Sequence, residues 1–254
     1  QMVERIKINN IIKAIKTKKK FFLVVIPDFL FKNIDGDVRK EFTRLEVEEE
    51  MILNIKNNWK RIDDYINDLK SKYRKKVYSI IKNSDVIKLE KLEYKKAKKY
   101  KKEISILFEN IIEKSKFSGP KFNTETLISL LEKEYINIYG YFLNNNLIAF
   151  SSEIYNNNIL YSYYVGFNKK LNHKYDLYSR ILIETIKNAI FKKAEKIVFG
   201  RTANEYKSNF GAVPIKSFIF LKTNNIYTDK IFKILFTRLK IKPWIQRKPF
   251  KQRN

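Results

Sequence analysis

Two asparagine triplets limit the folds open to this chain. Asn144–Asn146 and Asn156–Asn158 separate three runs rich in β-branched and aromatic residues: Tyr135–Leu143, Leu147–Tyr155 and Leu160–Phe167. Asparagine tolerates the left-handed backbone that a tight hairpin turn needs at its centre. The three runs therefore predict an antiparallel meander. One face of such a sheet has to be buried, and the flanking sequence supplies amphipathic segments to bury it.

Upstream, the apolar spacing predicts a helix over Val3–Lys16, a short buried strand at Phe21–Ile26 and an extended segment at Glu41–Ile55. Lys16–Phe31 does not read as a leader. Its apolar run is broken by Pro27 and Asp28, and no small-residue cleavage site follows. Trp59, Ile62, Ile66, Leu69, Tyr73, Val77 and Ile80 predict one long helix over Trp59–Asn83. A strand at Val86–Leu89 and a second long helix at Tyr94–Lys116 follow. "SGPKFN" at Ser118–Asn123 is the strongest punctuation in the middle and suggests regions 1–120 and 121–254. A helix at Thr124–Glu134 leads into the meander. After it come a loop over Asn168–Asp176, a helix at Leu177–Lys192, strands at Lys196–Phe199 and Ile215–Leu221, and a terminal helix at Thr228–Leu239. The class is α/β (α+β), a mixed sheet with an antiparallel meander flanked by helices. No stretch reaches the roughly 20 apolar residues of a membrane span.

The 254 residues are 44% hydrophobic and 15% aromatic, so a packed core is feasible and disorder is not expected. No cysteine is present, which excludes disulfides, thiolate metal sites and cysteine nucleophiles. One histidine, His173, cannot build a multi-histidine metal site, so no metal is expected. The cysteine-free composition fits a cytoplasmic protein. The net charge of +26 would draw nucleic acid, an anionic membrane surface or phosphorylated ligands, although a Lys-, Asn-, Ile- and Tyr-rich sequence is also what an A/T-rich coding bias produces. Lys91–Lys102 and the acid-free tail from Lys230 are the densest basic clusters.

"FGRTANEYKSNFGAVP" at Phe199–Pro214 places two glycines, a proline, an arginine and a lysine between two apolar runs. Together with the meander, with "YDLYSRILIETIKNAI" and "KIVFG" after it, and with "NWKRIDDYINDLKSKYRKKV" at Asn58–Val77, it resembles the GNAT acyltransferases. Within them it is most similar to the Fem-like branch, whose members include peptidyltransferases that build peptidoglycan cross-bridges. The "K-x-x-F-G" pattern of that branch stands here as Lys207–Gly211. The resemblance implies a GNAT-like domain preceded by a partial, degenerate GNAT-like half. It implies transfer of an acyl or aminoacyl group, from acyl-CoA or aminoacyl-tRNA, to an amine such as a small or lipid-linked acceptor. The glycine-rich pyrophosphate loop of ordinary GNAT enzymes is replaced by "HKYDLYSR", which weakens the case for coenzyme A.

Direct acyl transfer needs a stabilised carbonyl oxygen, proton movement and an aligned donor, but no covalent nucleophile. In the GNAT fold the donor lies where two strands splay apart, here near Tyr163–Phe167 and Lys196–Gly200. The resemblance thus implies donor contacts from Val165, Gly166 and Phe167, and from Tyr178, Ser179 and Arg180 on the first turn of the next helix, whose free N–H groups suit a phosphate. Tyr178 could equally be a packing residue and Arg180 a surface cation. Lys207 is implied to lie by the transferred carbonyl, or else to cap a helix; Arg201 stands near the same strand end, or in a structural ion pair. Glu153, the only acid in the meander, is a candidate proton relay or an exposed strand residue. Tyr163 and Tyr164 should face opposite ways, and His173 should be exposed. A non-catalytic protein whose basic surface binds nucleic acid or anionic membrane is the competing expectation.

Overall fold

The computed structural model describes residues 23–28, 42–112, 123–223, 228 and 243–252. Along the chain it contains β1 (Leu23–Pro27), β2 (Thr43–Asn54), α1 (Ile62–Asp68), α2 (Ser71–Asn83), β3 (Lys88–Leu92), α3 (Tyr94–Lys99), α4 (Lys101–Ile112) and α5 (Thr124–Glu132). The meander strands follow: β4 (Asn137–Leu143), β5 (Asn146–Asn156) and β6 (Ile159–Phe167). Then come α6 (Lys169–Tyr175), α7 (Leu177–Phe191), β7 (Lys196–Gly200), α8 (Asn204–Ser208) and β8 (Val213–Thr223). The expected helix at Val3–Lys16 and nearly all of that at Thr228–Leu239 lie outside the described residues.

By its contacts the chain forms two units, residues 1–50 with 215–244, and residues 51–214 with 245–254. They interleave along the sequence. In the first unit the strand order is β1-β8-β2, with β1 antiparallel to β8. There Asp28 accepts a hydrogen bond from the Phe218 N–H at 2.9 Å, and the Arg44 guanidinium lies 3.6 Å from the centre of the Phe218 ring.

The second unit carries the meander. Its order runs from the end of β2 through β7, β6, β5 and β4 to β3. Asn144 and Asn145 have φ of 48° and 63°, and Asn157 and Asn158 have 48° and 60°, so both triplets make the left-handed turns expected of them. All pairings here are antiparallel except β6 with β7. Helices α3, α4 and α5 bury one face of the sheet through Ala97, Ile104, Leu107, Leu127 and Leu131 against Ile138, Phe142 and Phe150. Helix α7 covers the other, with Leu177 and Ile181 against Tyr141 and Ala149. Among the described residues no helix is long and apolar enough to cross a membrane.

Three expected elements differ. The long helix over Trp59–Asn83 is two, because the chain at Leu69 makes a β-bridge to Phe250 and the Lys70 N–H donates to the Pro249 carbonyl at 2.8 Å. Trp59 precedes α1; its ring is buried and its indole N–H donates to Asp68 at 2.8 Å. The helix from Tyr94 is interrupted at Tyr100. The loop after β6 is helical, since Asn168 caps it by accepting from the N–H groups of Lys170 and Leu171 at 3.0 and 3.2 Å.

Gly166 shows how closely α4 sits on the sheet. A Cβ there would lie 2.5 Å from the Phe150 ring and 2.8 Å from the α4 backbone at Leu107 and Phe108. Gly166→Ala should therefore cost about 1–3 kcal/mol through forced repacking, read as a lower urea midpoint at unchanged slope. An unchanged midpoint would mean that α4 can lift away freely.

Candidate functional site

Strands β6 and β7 pair in parallel over only three positions, Ile159↔Lys196, Leu160↔Ile197 and Tyr161↔Val198. Beyond Tyr161, β6 continues with β5 alone, and Gly200 of β7 pairs with Met51 of β2. The two strands thus stay paired through Tyr161 and Val198 and part beyond them. Val165 packs into the core against α7, Gly166 lies beneath α4, and Phe167 pairs with Ala149 at the open end.

A row of aromatic rings lies at this end. Phe167 and Tyr178 have ring centres 5.7 Å apart, Tyr178 and Tyr206 5.4 Å, and Tyr206 and Phe210 6.0 Å. The hydroxyls of Ser179 and Tyr206 are hydrogen-bonded to each other. Burial pushes the phenols of Tyr178 and Tyr206 above their usual range, so both stay protonated near neutral pH.

Lys207 is buried on α8. Its ammonium donates to the carbonyls of Phe199, Gly200 and Arg201 at 2.9, 3.1 and 2.9 Å. One cation thus gathers three successive carbonyls as the chain leaves β7. That exit is conformationally strained: Gly200, Thr202 and Ala203 have φ of 70°, 70° and 51°. For β-branched Thr202 a left-handed backbone is an outlier. The half-buried Arg201 stands within this turn.

The turn is held from behind by residues 245–252. Arg247 pairs with Glu205, its N–H donates to the Ser208 hydroxyl at 3.0 Å, and Phe250 packs on Trp59, on Tyr65 and in the space that a side chain at Gly211 would need. Buried Tyr65 donates to the Phe210 carbonyl at 3.0 Å. Gly211, the last residue of the K-x-x-F-G pattern, has φ of 91° and lies against the Phe250 ring. This part of the basic tail is a structural strap.

The other candidate residues sit apart from the aromatic row. Arg180 donates to Glu184 at 2.7 Å and to the Ser84 hydroxyl at 2.9 Å, so it ties α7 to the end of α2 and is not a surface cation. Glu153 is buried under the far half of α7, where Asn188 donates to both its oxygens at 3.0 and 3.2 Å. Asn188 lies ten residues along α7 from Tyr178, roughly 15 Å at the helical rise. Burial pushes the Glu153 carboxyl up to about 7, against the opposing pull of Asn188, Lys192 and Thr185. Glu153 is therefore not an exposed strand residue. His173 is exposed on α6. Tyr163 and Tyr164 do not simply face opposite ways. The strand is irregular where it pairs with Ser151–Glu153, and their ring centres lie 4.2 Å apart.

At the N-terminus of α7 one N–H group is already engaged and a carboxylate stands close by. Asn172 Oδ1 accepts from the Tyr178 N–H at 2.9 Å, and Asp176, held by Asn83 at 3.0 Å, stands at the N-cap. A carboxylate there opposes a phosphate. The sequence alone did not single out Tyr206 or Asn172; Tyr206 stood beside Lys207 in the Phe199–Pro214 stretch. Among the described residues no three His, Cys, Asp or Glu side chains gather as metal ligands.

No family model matches the sequence, and no curated protein is similar enough to count as a match. Solved structures do match. FemX superimposes with a TM-score of 0.57 at 11% identity, over 91% of this chain and 80% of that one. L-PGS from Bacillus licheniformis gives 0.57 at 12% identity, over 91% and 78%. A conserved protein of unknown function from Bacteroides thetaiotaomicron gives 0.56 at 8%, over 85% and 74%. At these identities the likeness is one of fold. The chain has a GNAT-like, Fem-related fold.

Proposed function

We propose that this protein transfers an acyl or aminoacyl group to an amine by direct attack, with no covalent enzyme intermediate. The observation that carries this reading is the parting of β6 from β7 after Tyr161 and Val198. Backbone N–H groups inside a sheet are almost always paired. Where the strands separate, those of Val165–Phe167 and Phe199–Gly200 that face the gap are available to a donor carbonyl. The amine nitrogen forms the new C–N bond, and the bond from the carbonyl carbon to the donor's sulfur or oxygen breaks. Tyr206, protonated and linked to Ser179, delivers a proton to the leaving atom; the amine's proton goes to solvent, and solvent returns one to the Tyr206 phenolate. Tyr178 lines the donor's path. Lys207 holds the strained exit from β7 and, with Arg201, keeps positive charge beside the oxygen that becomes negative.

Two donors suit this arrangement, acyl-CoA and aminoacyl-tRNA. Asp176 at the start of α7 argues against a pyrophosphate in the usual GNAT place and so favours the aminoacyl ester, whose source would put the reaction in the cytoplasm. The test is a transfer assay with each donor and a panel of amine acceptors, lipid-linked ones included. Tyr206→Phe should lower the transfer rate roughly 100- to 10,000-fold. It should move the thermal midpoint by no more than about 4 °C. Absence of transfer from both donors by the unaltered protein would leave the competing reading, a non-catalytic basic binding protein, ahead.

A further inference from the structure

Helix α2 reads "SKYRKKVYSIIKN", five cations and no acid. Lys72, Lys75, Lys76 and Ser79 line one side of an open groove of about 600 Å³, and Glu205 and Arg247 stand on the other. Only Glu205 opposes the four cations among the residues of this groove, and Arg247 already engages it. Lys72 and Lys75 have no acidic partner among the described residues. Lys76 reaches over the Tyr206 ring, 5.1 Å from its centre, so the groove runs up to the aromatic row. Like charges three and four apart on a helix repel one another, and a bound anion relieves that repulsion. At the start of α7, Asn172 already takes the Tyr178 N–H and the Asp176 carboxylate stands at the N-cap, which disfavours a phosphate there.

We infer that this chain holds the phosphates of a ligand in the groove between α2 and α8. The recognising chemistry is charge-assisted hydrogen bonding from lysine ammonium groups, with the Ser79 hydroxyl beside them. A compact diphosphate and the successive phosphodiesters of a nucleic acid offer the same chemistry. The inference rests on the groove and not on the transfer reading: binding without transfer would leave it intact.

The experiment measures binding of a fluorescein-labelled 12-nucleotide single strand by anisotropy across a salt series, with inorganic pyrophosphate as competitor. Lys72→Gln/Lys75→Gln/Lys76→Gln should weaken binding at least tenfold and reduce the slope of log K against log salt by about 2. Lys91→Gln/Lys95→Gln/Lys102→Gln, which removes equal charge from exposed positions elsewhere, should change it less than threefold. Competition by millimolar pyrophosphate that the groove variant loses would assign a compact diphosphate. Groove-dependent binding of the strand without such competition would assign a polynucleotide backbone. Equal losses in both triple variants, or no binding of either probe by the unaltered protein, would overturn the inference.

Discussion

Lys207→Met should destabilise the second unit by about 3 kcal/mol at neutral pH. Methionine fills much of the lysine's volume, so the loss is not that of a cavity. It comes from the carbonyls of Phe199, Gly200 and Arg201, which lose one common donor. Hydrogen bonds from a charged group contribute about 1.5–3 kcal/mol each. Part of that gain is offset because Lys207 is itself only 4% exposed, so its charge is largely removed from water. The left-handed residues Gly200, Thr202 and Ala203 add to the effect, since strain of order 1–3 kcal/mol per non-glycine residue persists only while neighbours enforce it. Urea unfolding gives the global loss, and hydrogen exchange of residues 200–208 reports whether the turn opens first. A loss below about 1 kcal/mol with unchanged exchange would mean that water satisfies those carbonyls and that the lysine is no latch.

Glu153→Gln should do the opposite at high pH. The carboxyl is raised from 4.5 to about 7 in the folded protein, burial being the main cause. The folded state therefore binds the proton more tightly than the unfolded one, and stability falls as pH rises from about 4.5 through 7, then levels off. The full loss is about 3 kcal/mol, since each tenfold gain in proton affinity on folding corresponds to about 1.36 kcal/mol. Glutamine keeps an acceptor for Asn188 and carries no charge. The variant should match the parent near pH 4 and exceed it by about 3 kcal/mol at pH 8. Urea melts of both proteins at the two pH values decide it. A difference independent of pH would mean that the carboxylate is better solvated than its burial implies. If the variant also keeps its transfer rate, Glu153 takes no part in the chemistry.

The meander was legible because asparagine at a turn centre states a backbone conformation directly. Helix α7 was legible because its apolar spacing spans four turns. Neither depends on distant residues. The break at Leu69–Lys70 was not legible, because its cause is Pro249 and Phe250, far along the chain. The same holds for the site. The sequence placed Tyr178, Ser179 and Lys207 near one strand end; in the structure Tyr178 and Ser179 contact Tyr206, the residue before Lys207. It could not show that Arg180 turns to Glu184 and Ser84, or that Glu153 lies under Asn188. Periodicity says which face a side chain takes; it does not say what waits opposite. Nor could the sequence show that helix α4 lies directly against Gly166.

The strap has a consequence for the order of assembly. Glu205 and Arg247 are 42 residues apart in sequence, and Lys251 reaches the Asn67 carbonyl across 184. At about 5–20 residues per second, a ribosome makes the strained turn roughly 2–8 s before the segment that fastens it. The turn must spend that interval unlatched from behind, with Trp59 and Tyr65 lacking the Phe250 ring that covers them. A nascent chain released before the strap emerges would carry nearly the whole sheet and an unfinished mouth.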